Sequence, residues 1–288
     1  MHYRSLIENR KSVRAFTDKI VPYSLLEDIR SYYLGSVQRL IPEIGTELYF
    51  FGTGTREALE GAAGYNRFLV GAPQYLVLMS RQHPLATENA GYIMEDLILK
   101  LTDLNLSSCW MTFTDSNDVK EALGIESDLD VAAIAAFGYG VREPRRLRLN
   151  IRSMSDVDIR AQRQYFEPKK SIYDLAFLNT WGNSRNLDSV MGFYDDILWE
   201  ALRAVSLSPS YLNRQAYGFL LHDGQVTLVS RPDEYTTEID GRLSLGIVLL
   251  HFTKVAEEWG GRISWRFGEE AARVELPEGH KVVATCQL

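Results

Sequence analysis

Apolar residues recur along this chain with two periods, and their interchange predicts a mixed α and β protein. Leu25, Leu26, Ile29, Tyr32 and Tyr33 follow helical spacing behind Ser24-Leu25-Leu26-Glu27, which reads as a capping box, so a helix is predicted over about 24–35. Residues 36–68 hold several glycines and a short helical patch near 55–62. The apolar runs 73–80 (PQYLVLMS) and 131–138 (VAAIAAFG) predict buried strands, with a long helix over about 86–104 between them. A similar plan returns in the second half. An amphipathic helix over 195–205 is followed by a hairpin of 218–221 and 226–230 around Asp223-Gly224, a long helix over about 241–259 and a strand over 281–288.

The two long helices align without a gap. Residues 91–110 (GYIMEDLILKLTDLNLSSCW) set against 246–265 (GIVLLHFTKVAEEWGGRISW) match Gly91 to Gly246 and Trp110 to Trp265. Apolar positions agree at Ile93/Val248, Leu97/Phe252, Leu101/Ala256 and Leu104/Trp259. A shared helical period explains the apolar matches by itself. The glycine, the tryptophan and the common order of elements point further, to internal duplication. Pro168-Lys169-Lys170 is read as the linker, giving repeats 1–168 and 169–288.

At 288 residues the chain can bury a substantial core as two modest domains or one large one. Its apolar content of 45% and charged content of 24% are ordinary for a globular protein. A net charge of −7 and a pI near 5.4 argue against a general nucleic-acid or membrane-surface binder. No run reaches the roughly 20 apolar residues of a membrane span. Cys109 and Cys286 make neither a disulfide framework nor a zinc site, which suits a reducing cytoplasm. The five histidines lack metal-ligand spacing, so no metal is expected.

Against this acidic background Arg10-Lys11-Ser12-Val13-Arg14 stands out, with three cations and a hydroxyl suited to a phosphate. Far along the chain, Ser208-Pro209-Ser210-Tyr211-Leu212-Asn213-Arg214-Gln215 is a turn able to offer backbone N–H groups and an amide to a flat polar ring. Their separation implies two domains folded onto each other or two copies of one domain.

Residues 7–16 (IENRKSVRAF) resemble the opening motif of the FMN-dependent nitroreductase family, and residues 208–217 (SPSYLNRQAY) resemble its Ser-Pro-Ser turn. Residues 104–113 (LNLSSCWMTF) are similar to its small-residue turn after the long helix, although the expected glycines are replaced by Ser107, Thr112 and Phe113. Phe137-Gly138-Tyr139-Gly140, with Arg145, Arg146 and Arg148, resembles its closing segment. The resemblance implies an α+β nitroreductase-like fold of two tandem half-domains, each with a central, mostly antiparallel sheet flanked by helices.

An ordinary member of that family builds its FMN sites at a homodimer interface, with the Ser-Pro-Ser turn supplied by the partner. Here the first half has Gly35-Ser36-Val37-Gln38-Arg39-Leu40 where that turn belongs, and the second has Gly182-Asn183-Ser184-Arg185 where the basic motif belongs. The surviving motifs are complementary and imply one FMN site in an intramolecular pseudo-dimer. By resemblance, Arg10, Lys11, Ser12 and Arg14 take the ribityl phosphate, with Arg145 or Arg148 adding a cation. Ser208, Pro209, Ser210 and Asn213 border the ring or ribityl chain, and backbone N–H groups around Met111, Thr112 and Phe113 approach flavin N5.

Gly64-Tyr65-Asn66 belongs either to the same cleft or to loop packing, Cys109 is assigned to packing, and Asp240-Gly241 is read as a ligand contact or as an N-cap that needs no function. No acid, base or nucleophile is assigned. The activity implied is ping-pong hydride transfer from NADH or NADPH through the flavin to a small nitroaromatic or quinone acceptor. The expected assembly is a monomeric pseudo-dimer or a weak homo-oligomer. Two alternatives stand beside it: a flavin-binding sensor or carrier with little turnover, and a scaffold that binds no flavin.

Overall fold

Two long helices cross at the centre of the protein, and a sheet stands on each side of them. The computed structural model describes residues 1–64, 69–141, 146–153, 156–162, 168–185, 187, 196–258, 261–272 and 274–287. The first half comprises α1 (Tyr3–Asn9), α2 (Tyr23–Gly35), β1 (Thr46–Phe51), α3 (Thr55–Ala58), β2 (Gln74–Ser80), α4 (Ala86–Asp103), β3 (Ser107–Met111), α5 (Ser116–Leu123), β4 (Asp130–Gly138) and the hairpin β5 (Arg146–Ser153) and β6 (Asp156–Gln162). The second comprises α6 (Ile172–Leu175), β7 (Ala176–Leu178), α7 (Asp196–Ser206), β8 (Tyr217–His222), β9 (Gln225–Ser230), α8 (Glu238–Glu257), β10 (Arg266–Phe267) and β11 (Lys281–Gln287).

The first sheet has the order β1-β2-β4-β3 and is antiparallel throughout, with Leu48 opposite Leu78 and both Leu76 and Trp110 opposite Ala135. The second has the order β10-β11-β9-β8-β7. Its first four strands are antiparallel and repeat the connectivity of the first sheet, while β7 adds a parallel edge on β8. Every residue of β2 is buried, which is why its run lacks alternation: apolar clusters cover both faces of the first sheet. No helix among the described residues is long and apolar enough to cross a membrane.

α4 and α8 are buried around most of their circumference, as helices between two layers must be. They approach closely at two glycines. A Cβ on Gly91 would collide with the Leu243 carbonyl oxygen, and one on Gly246 would collide with the Glu88 carbonyl oxygen. In the gapless alignment Glu88 matches Leu243, so the contact is the same read in either direction. The loops above it follow suit: Ile41 N–H donates to Asn89 Oδ1 at 3.0 Å, and Tyr211 N–H donates to Ser244 Oγ at 3.4 Å, where Asn89 and Ser244 are aligned positions.

α1 reaches across from the first half. Ile7 joins the second core beside Ala201, Val205 and Val248, and two ion pairs hold the helix to α7: Arg4 to Glu200 and Arg203 to Glu8, each at 3.0 Å. That anchoring places the residues after Asn9 at the boundary between the halves.

Some sequence expectations shift. α2 is capped by Pro22, whose carbonyl accepts from Leu25 and Leu26; Ser24 lies inside the first turn and forms no capping box. The N-cap of α8 is Thr237, accepting from Asp240 N, so Asp240 sits within the helix. Pro168-Lys169-Lys170 is tied down: Lys169 Nζ donates to Ser208 O at 2.9 Å and Lys170 N to Gln215 Oε1 at 2.7 Å. β1 and the β5–β6 hairpin were not expected.

Gly91→Ala and Gly246→Ala should each lower stability by about 1–3 kcal/mol, because overpacking against a neighbouring backbone outweighs the better helix propensity of alanine. Urea unfolding midpoints check this, and a variant at least as stable as the parent would contradict the close crossing.

Candidate functional site

Residues 12–17 run along the end of the first sheet. Val13 N–H donates to Ser108 O at 2.9 Å, Ser12 bridges Ser108, and Thr17 N–H donates to Tyr139 O at 2.8 Å. This fixes the basic segment beside β3. On the other side of the boundary, α7 ends and the chain turns through 208–215. Leu212, Asn213 and Gln215 have φ of 45°, 56° and 46°, left-handed backbone that side chains adopt only when the surroundings enforce it. Gln215 supplies that enforcement. It is fully buried, its Nε2 donates to Ser206 O at 2.9 Å and its backbone N–H to Ser210 Oγ at 2.9 Å.

Between these segments lies a cavity of about 250 Å³. The first half contributes Ser12, Arg14, Gly64, Val70 and Cys109 to Thr112; the turn contributes Pro209 to Leu212; α8 contributes Asp240, Leu243, Ser244 and Ile247. Arg14 is exposed, and among the described residues it has no acidic partner within ion-pair distance. Thr112 Oγ1 donates to the Asp240 carboxyl at 2.9 Å, a bond joining the two halves at the cavity wall. Asp240 is 7% exposed, and burial raises its pKa despite hydrogen bonds from Thr237 and Thr112. The Cys109 thiol is likewise pushed up by burial, which suits a wall residue rather than a nucleophile.

The sequence-predicted residues divide accordingly. Ser12, Arg14, Met111, Thr112, Pro209 and Ser210 line the cavity together. Lys11 is exposed beside it. Asn213 points its amide elsewhere, donating to Pro168 O at 2.7 Å. Arg145 lies outside the described residues. Arg148 is in β5, paired with Arg160 of β6. Arg10 and Ser208 are not on the cavity wall but at the two ends of a buried polar chain.

In that chain Ser208 Oγ lies 2.8 Å from His251 Nδ1, and His251 Nε2 lies 3.1 Å from Glu95 Oε1. Trp110 Nε1 donates to Glu95 Oε2 at 2.7 Å, and Arg10 Nε stands 3.5 Å from Glu95 Oε1. Ser208, His251 and Glu95 have no exposed surface. Ser208, the His251 ring and the Glu95 carboxylate thus form one continuous hydrogen-bonded chain, and ionised Glu95 balances Arg10. Burial alone raises the Glu95 pKa, but the bond from His251, the Arg10 charge and the Trp110 bond outweigh it, and the net direction is down. The chain thereby links the basic segment to the Ser-Pro-Ser turn through the helix crossing. Sequence reasoning missed it, while Asp240, read there as a ligand contact or an N-cap, stands on the cavity wall. The only available signal was ionisable residues set inside otherwise apolar helices.

The fold is thus two α+β halves joined over crossed helices, with a cavity built from both. A family model described as "Putative TM nitroreductase" matches residues 3–256, and the chain belongs to that family. In crystal structures, a "putative nitroreductase" from Thermotoga maritima resembles it over 100% of this chain and 94% of its own, at 20% identity and a TM-score of 0.59, which shows the fold. A nitroreductase family protein from Clostridium novyi matches over 49% of this chain and 87% of its own, at 19% identity and a TM-score of 0.43. An FMN-dependent nitroreductase from Clostridium difficile matches over 48% and 88%, at 22% identity and a TM-score of 0.42. No curated protein matches the chain.

Glu95→Gln should cost about 3–5 kcal/mol near pH 7, because it leaves the Arg10 charge buried without its partner. Glu95 ionises below its ordinary range when folded, so its contribution is complete above the unfolded value of about 4.3 and is lost as pH falls through the folded value. Urea unfolding of parent and variant should therefore converge in acid. A stability gap independent of pH would contradict an ionised Glu95.

Proposed function

We propose that the chain is an FMN-dependent NAD(P)H oxidoreductase, a pseudo-dimer of repeats 1–168 and 169–288 with one flavin site between them. The observation that supports this most is the cavity wall itself: Ser12, Arg14, Met111 and Thr112 from one half face Pro209, Ser210 and Asp240 from the other. The residues suit FMN. Exposed Arg14 with Ser12 is a fitting pair for the phosphate, and the apolar wall of Val70, Met111, Leu243 and Ile247 suits the ring. FMN, when bound, supplies the redox chemistry, and the protein supplies binding, orientation and electrostatics.

The reducing dinucleotide gives up a hydride and leaves before an electron-poor acceptor, a nitroaromatic or a quinone, takes the electrons. Asp240, whose pKa burial raises, is the carboxyl side chain that the second half places on this wall, held there by the Thr112 and Thr237 hydroxyls. Arg10 acts through its neighbours: its Nη1 donates to Ser12 Oγ at 3.5 Å while Glu95 balances its charge, so Ser12 is oriented for the phosphate.

The duplication is supported by the shared sheet connectivity and by the reciprocal glycine contact. A single site is supported by what occupies the equivalent position on the other side, where Leu40, Tyr92, Trp265 and Phe267 pack into the second core.

Arg14→Gln should weaken FMN binding about ten- to a hundredfold, the loss of one charge-assisted contact. Quenching of FMN fluorescence on titration measures this, and unchanged affinity would contradict the assignment of the phosphate to Arg14. With FMN bound, anaerobic NADH or NADPH should bleach the visible flavin band, and a quinone should restore it. A bound flavin that neither donor reduces would favour a sensor or carrier instead.

A further inference from the structure

The turn at 208–215 separates two cavities, and Leu212 lines both. The second, about 340 Å³, faces away from the proposed flavin site and is bounded by Lys170, Asn213, Arg214, Arg231 and Asp233 among others. Its three cations face one carboxylate, an excess of two positive charges in a protein that is acidic overall. Asp233 is committed to Arg214, whose Nη2 lies 2.6 Å from Oδ1. Lys170 Nζ donates to the Gln215 carbonyl at 2.9 Å, and Arg231 Nη2 donates to the Asp174 carbonyl at 2.6 Å, so both are held by neutral oxygens. The Asp174 carboxylate lies nearby, keeps its charge while accepting from the N–H and hydroxyl of Ser171, and reduces the local excess to one positive charge.

Arg231 packs against the rings of Phe177 and Trp181, its guanidinium 5.2 and 5.1 Å from their centres, and its Nε is buried with no acceptor. Burial, then the Arg231 and Arg214 charges, lower the Lys170 pKa against the opposing pull of Asp233 and Asp174. Crowded, partly desolvated cations held by neutral partners are costly unless an anion offsets them.

We propose that this cavity is a binding site for a phosphate dianion, free or as a monoester, held by Lys170 and Arg231 with Arg214 at its edge. A phosphate dianion carries about −1.5 to −2 charges near pH 7, the sign that the cations left unbalanced by Asp233 and Asp174 attract. Two sources share that chemistry: inorganic phosphate itself, and the 2′-phosphate of a phosphorylated nicotinamide dinucleotide.

The test is calorimetric titration of the full chain with sodium phosphate at fixed ionic strength. Because Arg14 offers phosphate a second place, the parent is compared with Arg14→Gln, Lys170→Gln and Arg214→Gln. Saturable binding that survives Arg14→Gln and weakens about tenfold in Lys170→Gln is expected, the loss of one charge-assisted contact. A smaller weakening is expected in exposed Arg214→Gln, which guards against a folding defect at Lys170. No saturable binding, binding lost only in Arg14→Gln, or equal affinity in both cavity variants overturns the proposal.

Competition identifies the source. Displacement of phosphate by NADP⁺ but not by NAD⁺ points to the dinucleotide, and displacement by neither points to phosphate itself. None of these readouts passes through a flavin, so the result stands apart from the oxidoreductase reading.

Discussion

The crossing of α4 and α8 at Gly91 and Gly246 is the constraint on which the rest of the molecule depends. Each glycine admits the backbone carbonyl of the opposite helix, so the helices sit closer than any side chain would permit. That distance sets how the two sheets face each other and how far residues 12–14 stand from residues 209–212. A contact that reads the same in both directions is the signature of a two-fold interface, here between halves of one chain. The cavity exists only because the halves are docked.

Close approach also makes the polar chain at the crossing possible. Glu95 from one helix and His251 from the other meet with no surface exposed to solvent. Such groups are costly unless paired, and here Ser208 and Trp110 supply hydrogen bonds while Arg10 supplies the opposing charge, its buried Nε making no hydrogen bond of its own. The consequence is mechanical as much as electrostatic. Ser208 begins the strained turn and Arg10 begins the basic segment, so one buried carboxylate fixes the relative position of both walls. Strain in the turn at Leu212, Asn213 and Gln215 is then sustained by Gln215 and by the segment 168–170 behind it.

Much of this was readable from the residues alone. The buried strands β2 and β4 declared themselves by unbroken apolar runs, and the matched glycines and tryptophans pointed to the repeat. The two cofactor-like motifs were visible as compositional contrasts, and the structure brings Ser12 and Arg14 to the same cavity as Pro209 and Ser210. What escaped has physical reasons. β1 mixes polar and apolar positions because most of its residues are only partly buried. Residues 146–153 alternate Leu147, Leu149 and Ile151 with polar residues, a strand period that the resemblance of Arg145, Arg146 and Arg148 to a closing cofactor segment overshadows. Helical periodicity says which face of α4 is apolar and nothing about which residue of α8 lies opposite, so the pairing of Glu95 with His251 could not be read. Ser208 and Arg10 were correctly marked as unusual, yet their side chains face the chain of buried polar groups rather than the cavity.

The central claim is that the two halves jointly build one flavin site and that the equivalent position has been filled by Leu40, Tyr92, Trp265 and Phe267. Reconstitution with excess FMN, removal of the unbound fraction and measurement of flavin against protein tests it most directly. One FMN per chain is the predicted result. Two per chain, or none, would contradict the account.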